Sequence, residues 1–324
     1  MRVGVIGPNS PDLLAWHILD SLPHVGAEAV WLGNPVPSSR NRFTSQALSL
    51  LAQDYRYRSR LADRVVSKAL EQEVNLVITL SDNLMPWHVE RLRREDVAVV
   101  LWHPDAISNH GRMWYAISNY TALYFKDPLL VKRLVDVQGL RATLLPEACN
   151  PRVHRPIGVS AISGDGAIAG NTYASRTRVL DRLEADKIPI RIFGSPIPKG
   201  TPPRRSTRGH QNRPIFGAEK ARIFREAGFV LNNLHPAEMA SNARLFEATA
   251  CGAAVVTEWR PDLESTFDID REVATFRTYD ELREQARELL GDARLATSLG
   301  DAASRRAHAD HTYEQRLPVI LEHL

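Results

Sequence analysis

Cysteine is nearly missing from this chain: Cys149 and Cys251 are the only two in 324 residues. That is too few for a disulfide framework, and neither has a partner at a zinc-like spacing, so a reducing compartment fits. Long hydrophobic runs are missing too. None approaches the ~18 residues a membrane-spanning helix needs, and MRVGVIGPNSPD enters a strand within two residues, without a basic-then-apolar leader. A soluble cytoplasmic protein is the expectation. Two nucleotide signatures are also lacking: no G-x-G-x-x-G stands at the turn where it would be needed, and no G-x-x-x-x-G-K-[ST] occurs anywhere. Nicotinamide chemistry and P-loop phosphoryl transfer therefore lose ground. Charge of one sign is scarce, with a net of +3, and the basic excess sits in one segment, 204–213, which holds Arg204, Arg205, Arg208 and Arg213 and no acid. Such a loop reads as cover for an anionic ligand, as a contact for nucleic acid, or as plain solvated surface.

What is present is a regular alternation of buried strands and amphipathic helices, which argues for parallel sheets covered on both faces. Hydrophobic residues make up 44% of the chain, ample for packed cores. Strands are expected at 2–6, 29–32, 75–80, 97–102, 121–125 and 142–145, with helices at 12–21, 59–73, 86–95 and 128–138. Ser10 and Pro11 read as the cap and first residue of the first helix. After the turn PEACNP and the prolines of PRVHRP, a second series begins. Its strands are expected at 166–169, 189–193, 229–232, 253–257 and 273–276, and its helices at 174–186, 217–227, 243–250, 279–291 and 292–308. The fold class is α/β, two doubly wound Rossmann-like domains facing a cleft. Residues 1–153 form the first domain, 154–308 the second, and 309–324 a terminal helix returning toward the first.

Ligands of open α/β sheets bind outside the carboxyl ends of the strands, so polar residues there are the candidates. In IAGNTYASRTR, Gly170 allows close backbone approach, the helix that follows offers N–H donors, and Arg176 adds a forked donor, a set suited to a diphosphate. Asn171 belongs to the same turn, and Ser195 in RIFGSP stands at the next strand exit. The stretch GFVLNNLHPAEMASNARLFEATACGAAVVTEWR supplies His235, Asn242, Arg244 and Glu247. A carboxylate accepting from two vicinal hydroxyls is a usual way to hold a ribose, which makes Glu247 a binding candidate near the positive end of its helix. A solvated helix glutamate and a turn histidine are the plain alternatives for Glu247 and His235. Asn9 and Ser10, in the loop after the first strand, are candidates for acceptor or phosphate binding.

The motifs NARLFEATACGA at 242–253, TEWRPDLE at 257–264 and HTYEQR at 311–316 resemble the group 1 glycosyltransferases of GT-B architecture, in particular their spore-maturation-like branch. The likeness covers the C-terminal half well and the N-terminal half in pieces. It implies a metal-independent, retaining transferase, hexosyltransferase in type, that moves a sugar from a nucleotide-diphosphate donor to a hydroxyl acceptor, with no cofactor beyond the donor substrate. It also implies that Glu247 grips the donor ribose, and that Gly170, Asn171 and Arg176 meet the diphosphate while Asn242 and Arg244 lie near phosphate or sugar. One departure stands out. Many members carry a second glutamate eight positions earlier, where this chain has Met239, with Glu238 one place off.

Cleaving the anomeric C–O bond builds negative charge on the leaving diphosphate, which guanidiniums and helix N-termini would stabilise. A base for the acceptor is sought at the end of the 97–102 strand, in His103 and Asp105, with Asp82 behind them. No Asp-x-Asp or His/Cys ligand set stands where the phosphates should lie, so no metal is expected. Three rival readings remain: a nucleotide-sugar binding protein without turnover, an epimerase on the same architecture, and a transferase whose acceptor is DNA bearing a hydroxylated base rather than a small molecule or glycan.

Overall fold

The computed structural model describes residues 1–36, 48, 51, 54–105, 113–158 and 161–322. The chain divides into two compact units, Met1–Pro146 with Tyr313–Leu324, and Glu147–Thr312.

The first unit is built on a six-stranded sheet in the order β2-β1-β3-β4-β5-β6. Its strands are β1 (Arg2–Ile6), β2 (Glu28–Gly33), β3 (Leu76–Thr79), β4 (Ala98–His103), β5 (Ala122–Phe125) and β6 (Ala142–Leu144), and every neighbouring pair is parallel. Every residue of LVIT in β3 and of AVVLWH in β4 is buried, the continuous apolar pattern of a parallel strand covered on both faces. Helices α1 (Leu14–Ser21), α2 (Tyr55–Glu71), α3 (Pro86–Arg94) and α4 (Pro128–Asp136) supply the cover, joined by α11 (Tyr313–Leu321) from the end of the chain. Asp54 caps α2 by accepting from the N–H groups of Arg56 and Tyr57, and Asp127 caps α4 in the same way through Leu129 and Leu130. α11 belongs to this unit physically: Tyr313 stacks on His17 at 5.4 Å, and the Tyr124 hydroxyl donates to Val319 O at 3.2 Å.

The expected start of the first helix is corrected. Leu13, not Ser10, is the residue before α1, and no side chain caps it. Asp12 takes a left-handed φ of 64°, and the Leu13 N–H closes a turn onto Ser10 O. A residue with positive φ cannot continue a right-handed helix, so Ser10 and Pro11 are turn residues.

The second unit carries a five-stranded sheet in the order β11-β10-β9-β7-β8, with β7 (Gly166–Ala169), β8 (Ile190–Phe193), β9 (Phe229–Asn232), β10 (Val255–Glu258) and β11 (Ala274–Phe276), again all parallel. Around it run α5 (Ala174–Ala185), α6 (Gly217–Glu226), α7 (Ala243–Ala250), the one-turn α8 (Leu263–Thr266), α9 (Tyr279–Gly291) and α10 (Ala293–Asp310). The expected capping box at α9 is present, Thr278 accepting from the Glu281 N–H while the Glu281 carboxylate accepts from the Thr278 N–H. Neither α8 nor the 3-10 turns at Leu22–Val25, Trp114–Ala116 and Arg205–Gly209 was expected from the sequence pattern. The division falls at Pro146/Glu147 rather than 153/154, because Glu147 accepts from the Ala243 N–H at 2.9 Å and so ties this segment to α7. Among the described residues, no helix is long and apolar enough to cross a membrane.

Candidate functional site

In the second unit the chain leaves β7 at Ala169 and turns at Gly170, where φ is +126° and a Cβ would lie 2.3 Å from Arg244 Nη2. The missing side chain makes room for a guanidinium. Arg244 reaches across from the first turn of α7, donating from Nε to Ala169 O and from Nη1 to Asn232 Oδ1 at 3.2 Å. Arg176, one turn into α5, approaches from the other side. It donates to Asn233 Oδ1 at 3.0 Å, to Asn233 O at 3.1 Å, to Asn171 O and to the Tyr173 hydroxyl, and its guanidinium lies 4.4 Å from the centre of the Tyr173 ring. All of these partners are neutral. Among the described residues neither arginine forms an ion pair. Burial, reinforced by neighbouring Arg176, lowers Arg244 to about 10, and burial lowers Arg176 as well. Two neighbouring cations are thus held in place by carbonyls, amides and a phenol, with no acid paired to either among the described residues.

Glu247 lies on the fifth residue of α7, not near its N-terminus. Its Oε2 accepts from Lys220 Nζ at 3.0 Å, and His154 Nε2 stands 3.9 Å from Oε1. Side-chain exposures of 5% for Lys220 and 13% for Glu247 show a nearly buried ion pair. The solvated-helix alternative for Glu247 is therefore overturned. Sequence reasoning missed Lys220, although a signal existed: Lys220 is spaced with Ile223 and Phe224 on the apolar stripe of α6, where a lone cation needs a partner.

The remaining donor candidates cluster less tightly. Asn171 and Ser195 meet at 3.4 Å, hydroxyl to amide oxygen. They border a cavity of about 370 Å³ walled by Ile192, Pro196, Ile197 and Pro198. His235 sits edge-on to Tyr173 at 5.2 Å, and its Nδ1 accepts from the Ala237 N–H at 3.2 Å, so it does serve as a turn residue while bordering the arginine cluster. Asn242 precedes α7 without capping it, and its Oδ1 is buried with no partner. The α7 N-terminus is not open to a ligand at Ala243, since Glu147 occupies that N–H. Glu238 accepts from the His235 N–H at 3.4 Å and braces that turn. The 204–213 segment is mostly neutralised: Arg204 pairs with Asp181 at 3.6 Å, Arg208 with Glu184 at 3.5 Å and Arg213 with Glu219 at 2.8 Å.

The other candidates lie in the first unit. Asn9 and Ser10 are exposed after β1. His103 is buried at the end of β4, its ring 6.3 Å from that of Phe125 and its Nδ1 accepting from the Asp105 N–H at 3.3 Å, while Asp105 itself is exposed. Asp82 accepts from the N–H groups of Trp114 at 2.6 Å and Tyr115 at 3.0 Å, and burial raises it to about 6. Asp82 thereby holds the Trp114 turn.

A pair of parallel α/β units with an anion site at strand ends is the arrangement of GT-B enzymes, and the chain has the GT-B fold. Residues 176–322 match the family model described as glycosyl transferase-like. No curated protein matches the sequence. Among solved structures, sucrose-phosphate synthase from Thermosynechococcus elongatus is similar at 13% identity with a TM-score of 0.69, over 99% of this chain and 97% of that one. Anabaena Alr3699/HepE, solved with UDP and glucose, is similar at 12% identity and a TM-score of 0.67 over the whole of both chains. A glycosyltransferase from Rickettsia africae ESF-5 gives 11% identity and 0.64, over 99% of this chain and 97% of that one. The likeness to these structures is one of fold, and the match to the glycosyl transferase-like model covers most of the second unit and the terminal helix.

Proposed function

We propose that this enzyme transfers a hexosyl group from a nucleotide-diphosphate sugar to a hydroxyl acceptor, with retention of anomeric configuration and without a divalent metal. The observation that carries the reading is the buried guanidinium of Arg176 and the half-buried one of Arg244, converging on Gly170 with neutral hydrogen-bond partners only. A diphosphate is the anion that two forked donors beside a close backbone approach would hold. Glu247, held by Lys220 at 3.0 Å, would accept from the ribose hydroxyls. That nucleotide sugars suit the fold is supported by Alr3699/HepE, solved in complex with UDP-glucose. The motifs at 242–253 and 311–316 favour the spore-maturation-like branch of group 1.

In the reaction the diphosphate leaves the anomeric carbon and the acceptor oxygen bonds to that carbon on the same face, which keeps its configuration, while the acceptor proton leaves to a base. Charge growing on the diphosphate meets Arg176 and Arg244, already desolvated and oriented, so little reorganisation accompanies the step. These fixed cations supply the role a metal would otherwise fill. Asp105 is the better base, because its carboxylate is exposed while the His103 ring is buried. Cys149 and Cys251 are buried and are not joined in a disulfide, which suits a reducing cytoplasm.

The test is calorimetric titration of UDP, GDP, dTDP and their hexose derivatives, followed by release of the free nucleotide with an acceptor panel in chelator. Binding of at least one nucleotide sugar and turnover without metal are expected. No binding by any of them, or turnover restored only by manganese, would overturn the corresponding claim. A second reading, binding without turnover, is favoured by Met239 and by the engagement of Glu238 with His235; tight donor binding with no release for any acceptor would establish it.

A further inference from the structure

Three aromatic rings from three separate segments meet at the carboxyl edge of the first sheet. Tyr55 opens α2, Trp87 stands in the first turn of α3, and Trp114 lies in the 3-10 turn beyond β4. The Tyr55 ring is 5.4 Å from Trp87 at 67° and 6.3 Å from Trp114 at 55°. The Trp114 turn is fixed by the N–H groups of Trp114 and Tyr115 donating to the Asp82 carboxylate. Despite this packing, Tyr55 and Trp87 remain 37% and 44% exposed. Beside them Arg58 donates from Nη2 to Asn83 Oδ1 at 3.2 Å and forms no ion pair among the described residues. Asp82, which feels Arg58 at longer range, is already taken up by its N–H donors.

The patch thus joins the electron-rich faces of large rings to a guanidinium that forms no ion pair among the described residues. A pyranose matches the first, because one face of the ring presents only C–H groups with slight positive charge while the hydroxyls project at the rim. A phosphate or carboxylate on that sugar matches the second through the forked donor. A wholly apolar occupant would leave Arg58 unanswered. We propose that Tyr55, Trp87, Trp114 and Arg58 form the acceptor subsite and take an anionic sugar. The proposal rests on the reading of the chain as a sugar transferase, and it narrows the acceptor from any hydroxyl compound to a phosphorylated or carboxylated carbohydrate.

Saturation-transfer NMR on the full chain tests it with glucose 6-phosphate, glucuronic acid and methyl glucoside, alongside p-nitrophenyl phosphate and an oligothymidylate. Ring C–H protons of the sugars should be saturated, with both anionic sugars bound more tightly than the neutral one. Trp87→Ala should weaken all three sugars at least tenfold, and Arg58→Gln should abolish only the preference for the anionic two. UDP affinity should stay within twofold in both variants. Retained sugar binding in Trp87→Ala, no binding of any of the sugars, or a preference for the flat aromatic phosphate or the oligonucleotide would each overturn the proposal. Phosphate against carboxylate is decided by the two anionic arms. Should sugars behave as expected while UDP fails to bind, the donor assignment falls and the subsite stands.

Discussion

The two sheets end alike in backbone and unlike in chemistry. Each has a glycine just past a central strand, Gly7 after β1 and Gly170 after β7. At Gly7 an added methyl would meet Leu80 Cδ1 at 3.1 Å, the movable tip of an apolar side chain, whereas at Gly170 it would strike a guanidinium at 2.3 Å in a left-handed conformation. The first edge is dressed with exposed aromatic rings, the second with buried and half-buried cations. A shared architecture therefore says where ligands sit, and the side chains at each edge decide which ligands those are.

The sharpest way to break this contrast is a matched pair of glycine substitutions. Gly170→Ala should cost about 1–3 kcal/mol of stability from backbone strain and displace Arg244, weakening UDP binding by roughly a hundredfold, about 2.7 kcal/mol. Undiminished UDP affinity in a folded Gly170→Ala protein would remove the phosphate assignment. Next in size is the pH dependence of the first unit. Burial raises Asp82 from its ordinary 3.8 to about 6, so the folded state holds a proton the unfolded chain releases. The stability this group contributes is present in full below pH 4 and lost as pH rises through 6, on the order of 3 kcal/mol. Denaturant titrations should show that decline in the wild type and its absence in Asp82→Asn. Arg244 keeps its charge up to about 10, so UDP affinity should not follow the same curve; it should fall only as pH approaches that value.

Glu247→Gln should reduce UDP affinity at least tenfold, about 1.4 kcal/mol, while leaving inorganic pyrophosphate binding unchanged. Because it strands Lys220, it should also destabilise the fold, and Lys220→Met in the same chain should recover part of that loss. Additive stability losses in this double-mutant cycle would show that the pair is not coupled. Gly7→Ala should have the smallest effect, under about 1 kcal/mol, with UDP binding intact.

Much of the fold was legible because buried parallel strands such as LVIT and AVVLWH leave no other reading, and helix caps such as Asp54, Asp127 and Thr278 have short-range signatures. The start of α1 was misread because a left-handed Asp12 overrode an ordinary cap-and-proline pattern. In the site, Gly170, Arg176 and Arg244 could be picked out at strand exits, yet their neutral partners could not, since Asn232 and Asn233 acquire that role only through pairing across the sheet. Glu147 blocking a helix N-terminus and Lys220 meeting Glu247 depend on contacts between segments far apart in sequence. The same holds for Tyr55, Trp87 and Trp114, each unremarkable alone.

Because α11 packs with the N-terminal sheet, the segment from Glu147 to Thr312 interrupts one unit while completing another. The first sheet is encoded before the second, yet the helix that completes it, with Tyr313 stacked on His17 and Val319 O accepting from the Tyr124 hydroxyl, is the last segment to be made. Order of translation and order of completion are thereby reversed, and a chain cut short after residue 312 would lack the closing helix of its first half rather than of its second.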